Sequence, residues 1–159
     1  MAAGLKARKK VQVWIFYRGL KKNTYVLLLL TRPERGSFWQ PVTGSVEPGE
    51  TLRDAALREA VEETGLKFCK KLIPLDYDFI YDKSGTTFHE YCYALESSGL
   101  KGGAPPPITI DQGEHSSYCW TSAMEAERML SYKTNKATLQ LLVRFLSRST
   151  LCDLRKKNT

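Results

Sequence analysis

Apolar and polar positions alternate along Val11–Tyr17, with Val11, Val13, Ile15 and Tyr17 on one face, which predicts a first strand. A polar turn over Arg18–Thr24 follows. Tyr25–Thr31 is then an unbroken apolar run, the pattern of a strand covered on both faces, so the two strands read as a hairpin. Downstream the period changes. Pro48-Gly49 marks a turn, Thr51 with Asp54 has the spacing of a helix cap, and Gly65 suits the left-handed residue after a helix end. These signals predict a helix over 52–64, with Leu57, Ala60, Val61 and Thr64 as its packing arc. Leu72–Asp82 and Thr86–Glu96 flank Lys83-Ser84-Gly85 and read as a second hairpin. Its aromatic residues are core by default, with one or two left to line a pocket for a base.

Ser97–Gln112 is rich in Gly, Pro and Ser and reads as a mobile loop within one domain. Glu114–Trp120 is a last strand and Ser122–Leu130 a short helix. Leu139, Leu142, Val143 and Leu146 then form one stripe at i, i+3, i+4 and i+7 of a final helix. Hairpin, helix, hairpin, strand and helix make an α/β chain without internal repeats.

Length allows one domain with a sizeable core, since the chain has 159 residues. We divide it into a basic flexible segment over 1–10, a single domain over 11–150 and a basic flexible tail over 151–159. The formal charge of +7 invites a nucleic-acid reading, but its distribution argues against one. Lys6, Arg8, Lys9 and Lys10 carry four of those charges, and Arg155, Lys156 and Lys157 less Asp153 carry two. The body is nearly neutral, so RNA is only weakly supported as a partner. No apolar run is long enough to span a bilayer, and no secretion signal is evident. Cys69, Cys92, Cys119 and Cys152 lack metal-ligand spacing and read as reduced thiols of a cytoplasmic protein. The sequence sets no oligomeric state.

Glu59, Glu62 and Glu63 crowd one turn of the predicted helix, within an arc of roughly 100°. Like charges at this spacing cost about 0.2–0.5 kcal/mol per pair. A solvated helix face would tolerate that. Clustered carboxylates without clustered lysines are also what a hard divalent cation requires.

The surrounding pattern favours the cation. Gly44, five residues, Glu50, seven residues, then Arg58-Glu59-Ala60-x-Glu62-Glu63-x-Gly65-Leu66 resembles the signature of Nudix hydrolases at every defined position. Phe38–Glu47, Glu114-His115 with Tyr118 and Trp120, and more weakly Lys133–Gln140, resemble bacterial dihydroneopterin triphosphate pyrophosphatases. The resemblance implies an α/β/α sandwich about a mixed sheet. It also implies a Mg²⁺-dependent pyrophosphohydrolase, with Mn²⁺ as substitute, cleaving a nucleoside or dihydroneopterin triphosphate to the monophosphate and pyrophosphate. Alternatives are dinucleoside polyphosphates, nucleotide sugars and RNA 5′ triphosphate ends. A non-catalytic nucleotide-sensing module is the rival of another class, although such modules usually lose carboxylates that this chain retains.

Carried onto matching positions, Glu59 and Glu63 become the expected metal ligands, Glu62 a third ligand or the general base, and the Thr43 carbonyl a main-chain ligand. Glu114 is the expected carboxylate from a later loop. Arg58 is expected to hold Glu50 or a catalytic carboxylate. Arg32, Trp39, Gln40 and Gly44 are assigned to substrate, Arg32 for polyphosphate and Trp39 for a base, with a buried Trp39 beside the sheet as its alternative. Arg35 and His89 read as ordinary surface and structural residues.

Overall fold

The computed structural model describes residues 6–67 and 69–157. Strands β1 (Arg8–Arg18), β2 (Thr24–Thr31), β3 (Trp39–Gln40) and β4 (Val42–Ser45) precede helix α1 (Leu52–Thr64). Strands β5 (Cys69–Lys83), β6 (Thr86–Ser97) and β7 (His115–Ser122) follow, and then helices α2 (Ala123–Met129) and α3 (Lys133–Lys157). The strands form one mixed sheet. β1 lies parallel to β6, and the other pairings between these strands are antiparallel.

Because β1 and β2 are central, both of their faces are covered. Val11, Val13, Ile15, Leu27, Leu29 and Val42 meet Ala55, Ala56 and Ala60 of α1. Trp14, Phe16, Val26 and Leu28 face Leu139, Leu142 and Leu146 of α3 and Ala126 of α2. The α/β/α sandwich therefore stands, and both hairpins form. The α1 boundaries agree with the sequence reading: Thr51 Oγ1 accepts the Asp54 amide at 3.1 Å, and Gly65 ends the helix at φ 64°.

Several expectations shift. Val61 and Val143 point to solvent rather than the core. On α1 the buried arc carries Ala55, Ala56, Ala60, Glu63 and Thr64, placing Val61 on the opposite side at about 100° per residue. At the front, β1 begins at Arg8, so Arg8–Lys10 pair in parallel with Phe88–Glu90 instead of forming part of a flexible segment. At the back, α3 runs to Lys157 without a Gly or Pro to stop it, where the sequence reading put a flexible tail. Residues 1–5 and 158–159 lie outside the described set.

The Pro-rich connection is packed against the domain. Ile108 and Ile110 pack on the α1-side core, and the Pro106 carbonyl accepts the Trp120 indole N–H. The Thr109 and Asp111 amides donate to the Thr64 and Glu63 carbonyls at 2.8 and 3.3 Å, completing carbonyls at the end of α1. This strap carries Glu114 and His115 to the same helix end. Among the described residues no helix is long and apolar enough to cross a membrane. Cys69, Cys92 and Cys119 are free thiols; the Cys152 side chain lies outside the described set.

Candidate functional site

Helix α1 meets the sheet through alanines, and this close approach lays Glu59 on the backbone of β4. A Cβ on Gly44 would fall 1.9 Å from Glu59 Cδ, so only glycine leaves room for the carboxylate. Arg58 frames the same turn. Its guanidinium donates to both oxygens of Glu50 (2.8 and 3.0 Å), to Glu59 Oε1 (2.8 Å), to Glu62 Oε2 (3.1 Å) and to the Ser45 carbonyl (2.9 Å). This fork ties α1 to β4 and to the turn before the helix. Glu50 is held down at about 2 by Arg58, whereas burial raises Glu59 despite the same arginine.

One helical turn on, Glu63 is buried and hydrogen-bonded at 3.0 Å to Nε2 of buried His115, which opens β7. Burial pushes Glu63 up to about 7, partly opposed by His115, with Glu114 and Glu59 adding like-charge repulsion. The other ring nitrogen of His115, Nδ1, is buried without a partner. Ligand atoms of Glu63, Glu114 and His115 lie within 4.8 Å of one another. Beside them is a cavity of about 320 Å³ lined by Lys10, Thr31, Arg35, Gln40, Thr43, Gly44, Ser45, Glu59, Glu114 and His115. Two carboxylates, a neighbouring buried one and main-chain oxygen form a donor set suited to a hard divalent cation. The glycine cradle under Glu59 and the orphaned Nδ1 are further marks of a site built around a ligand.

A family model described as the NUDIX domain matches residues 8–142. The chain belongs to the Nudix family. Its membership rests on far more than Gly44–Leu66, since the match takes in nearly the whole sandwich.

Three similar proteins illustrate the range of this Nudix chain. An octanoyltransferase of Myxococcus xanthus is 33% identical over 124 residues, which are 77% of this chain and 33% of that protein. The chain thus spans about a third of that relative's length. The asymmetrical bis(5′-nucleosyl)-tetraphosphatase of Rattus norvegicus is 31% identical over 124 residues, 74% of this chain and 79% of the relative. The solved E. coli dihydroneopterin triphosphate pyrophosphohydrolase superposes with a TM-score of 0.67 at 26% identity, covering 85% of this chain and 96% of the other.

Within the Nudix signature the structure separates residues that the sequence grouped together. Glu59 lines the small cavity, Glu63 lies buried beside it, and Glu62 turns outward, its side chain 56% exposed and bonded to Arg58. Helix geometry explains this. Relative to Glu59, Glu63 lies about 40° towards the buried arc and Glu62 about 60° away from it. Glu114, Thr43, Gly44 and Gln40 line the cavity.

Arg32, expected at the polyphosphate, instead donates to both oxygens of Glu34 and to the Gln112 carbonyl and does not line the cavity. Arg35, read as a surface residue, does line it, with Nη2 3.8 Å from Glu114 Oε1. Trp39 packs on the α2–α3 core and does not line the cavity. His89 pairs with Asp78 at 2.5 Å and stacks on Tyr91, and it does not line the cavity either.

A second cavity, about 730 Å³, adjoins the first and shares Lys10, Gln40 and Thr43 with it. Its walls include Phe38, Phe79, Tyr81, Phe88 and Tyr132, and Glu90 and Asn135 also line it. Sequence reasoning left the ring-lined pocket without named residues. It also missed Lys10, His115 and Glu90. For His115 the signal was present: it directly follows Glu114 at the start of a strand.

Proposed function

We propose that this protein is a divalent-metal-dependent pyrophosphohydrolase, with Mg²⁺ as the working ion and Mn²⁺ as a substitute. In this reading it cuts a nucleoside triphosphate or dihydroneopterin triphosphate to the monophosphate and pyrophosphate. The observation that carries the proposal is the pair of joined cavities. One is small and lined by Glu59, Glu114 and the strand carrying Thr43; the other is large and walled by rings. A polyphosphate fits the first and a heterocycle the second.

Glu59, Glu63, Glu114 and the Thr43 carbonyl would hold the cation. When bound, the ion would ease deprotonation of water and offset charge on the phosphoryl oxygens. His115 fixes Glu63 through its Nε2 bond, and Arg58 fixes Glu59 through its own. Arg35 and Lys10 supply the fixed positive charge that a phosphate chain meets at the cavity walls. Glu62, exposed and paired with Arg58, is a weaker candidate for ligand or base than the sequence suggests. A cytoplasmic setting with reduced thiols belongs to the same proposal.

Likeness to a protein named as a bis(5′-nucleosyl)-tetraphosphatase favours dinucleoside polyphosphates as the second substrate class. A panel with and without Mg²⁺ tests both. It would compare dihydroneopterin triphosphate, nucleoside triphosphates, dinucleoside polyphosphates, nucleotide sugars and triphosphorylated RNA, with products resolved. Mg²⁺-dependent release of pyrophosphate supports the first reading. Binding without turnover anywhere in the panel would leave a sensing module and overturn it.

A further inference from the structure

The floor of the large cavity carries a chain of buried hydrogen bonds whose direction is fixed at both ends. The Trp14 indole can only donate, and it does so to Thr138 Oγ1 at 3.0 Å. Thr138 Oγ1 has two acceptors in reach, Gln12 Oε1 at 2.7 Å and the Asn135 carbonyl at 3.1 Å, and gives its one proton to the nearer, which turns the Gln12 amide nitrogen towards the Glu90 carboxylate. That nitrogen donates to Glu90 Oε1 at 3.1 Å and to Asn135 Oδ1 at 3.0 Å. Glu90, as a carboxylate, can only accept, and its second oxygen takes the Tyr81 hydroxyl at 2.9 Å. The polarity of the chain therefore leaves unused lone pairs on Glu90. Because Asn135 Oδ1 accepts from Gln12, the N–H groups of its amide remain for a ligand. Both residues line the cavity.

We infer that Glu90 and Asn135 read the heterocycle, selecting the 2-amino-4-oxopyrimidine edge that guanine and pterins share. That edge presents two adjacent N–H donors, which suit the carboxylate, and one carbonyl oxygen, which suits the Asn135 amide. Adenine presents a ring-nitrogen lone pair where a donor is needed, so it faces Glu90 with acceptor against acceptor. Phe79, Tyr81, Phe88, Phe38 and Tyr132 line the cavity with apolar ring surface that any base can use, and carry no such selection. This reading rests on one part of the proposed function, that the large cavity holds the heterocycle of a nucleotide whose phosphates enter the small one, and not on the hydrolysis itself.

The test compares kcat/KM for GTP, dihydroneopterin triphosphate, ITP and ATP with Mg²⁺, and metal-free Kd values for GMP and AMP. GTP, the pterin triphosphate or both should exceed ATP by at least about tenfold, with ITP, which lacks the 2-amino group, in between. The faster of the two identifies the source of the edge, and either supports the inference. Glu90→Gln should bring the GTP-to-ATP ratio down at least about tenfold, and Asn135→Asp should lower it too.

Equal loss on GTP and ATP in Glu90→Gln would assign Glu90 to structure alone and overturn the inference, as would a wild type that prefers ATP and AMP. If the variants fail to fold, the wild-type GTP-to-ITP ratio and the GMP-to-AMP ratio decide. If nothing is hydrolysed yet GMP binds more tightly than AMP, the proposed function falls and this inference stands.

Discussion

Gly44 of β4 lies directly beneath Glu59 of α1, so that a Cβ at position 44 would meet Glu59 Cδ at 1.9 Å and Oε1 at 2.3 Å. The colliding atoms are the far end of a flexible side chain, and the helix itself need not move. Gly44→Ala should therefore push the Glu59 carboxylate out of its place while leaving the sandwich intact. A displacement of about 1 Å at a catalytic group typically costs about 100-fold. Turnover should fall by about that factor, with the melting temperature little changed. A variant as active as wild type would show that the Glu59 position is immaterial.

Glu63 makes the metal-free protein sensitive to pH in a defined direction. Its folded-state value of about 7 lies above the ordinary 4.5, so in that window the folded chain holds a proton that the unfolded chain has released. Stability is then full below about 4.5, is lost as pH rises towards about 7, and stays lowered above it. The upward shift of Glu59 acts in the same sense. In chelator, the melting temperature should drop by several degrees between about pH 5 and about pH 8. Glu63→Gln should remove most of that drop, and Mg²⁺ should reverse it in the wild type by favouring the ionised form. The same variant should lose turnover by orders of magnitude. A drop unchanged in Glu63→Gln would assign the pH dependence elsewhere.

His115 lies behind Glu63, its Nε2 3.0 Å from Glu63 Oε2 and its ring fully buried, and under the proposed function it positions Glu63 for the metal. Groups that orient metal ligands in this way are worth about 10–100-fold in metal affinity. Calorimetric titration with Mg²⁺ or Mn²⁺ should show a loss of that size in His115→Ala. His115→Gln, which keeps an N–H donor, should recover part of it. Equal metal affinity in all three proteins would remove His115 from the site.

These outcomes turn on features that were unequally legible in the sequence. Local signals gave α1 with its Thr51 cap and Gly65 end, because both depend on residues a few positions apart. Long-range placement was not available from periodicity. Whether Glu62 or Val61 faces outward depends on which side of α1 meets the sheet, and alanines set that by letting the helix approach closely. Likewise Glu90 and Gln12 sit 78 residues apart, so nothing near either one announces a buried polar pair. The ring-lined cavity was out of reach for the same reason. Its walls come from β1, β3, β4, β5, β6 and the start of α3, which only the folded sheet brings together.

The two arginines after β2 give the sharpest contrast between reading a chain and seeing it folded. Arg32 faces Glu34 and the Gln112 carbonyl, so its charge is already matched and its side chain is tied to the strap that carries Glu114. Arg35 is half exposed, reaches Glu114 only at 3.8 Å, and lines the small cavity. At that distance the pair contributes little by itself, which leaves the guanidinium available to a phosphate. Arg35→Ala should raise KM for a triphosphate substrate roughly tenfold with a smaller change in kcat, the signature of lost ground-state binding. It should also weaken the dependence of KM on salt, since one fixed charge is gone. Arg32→Ala should leave KM close to wild type and change the melting temperature little, as expected of an exposed ion pair. Steady-state kinetics at two ionic strengths distinguishes the two. A large KM effect in Arg32→Ala with none in Arg35→Ala would restore Arg32 as the polyphosphate cation and show that the strap moves when substrate arrives.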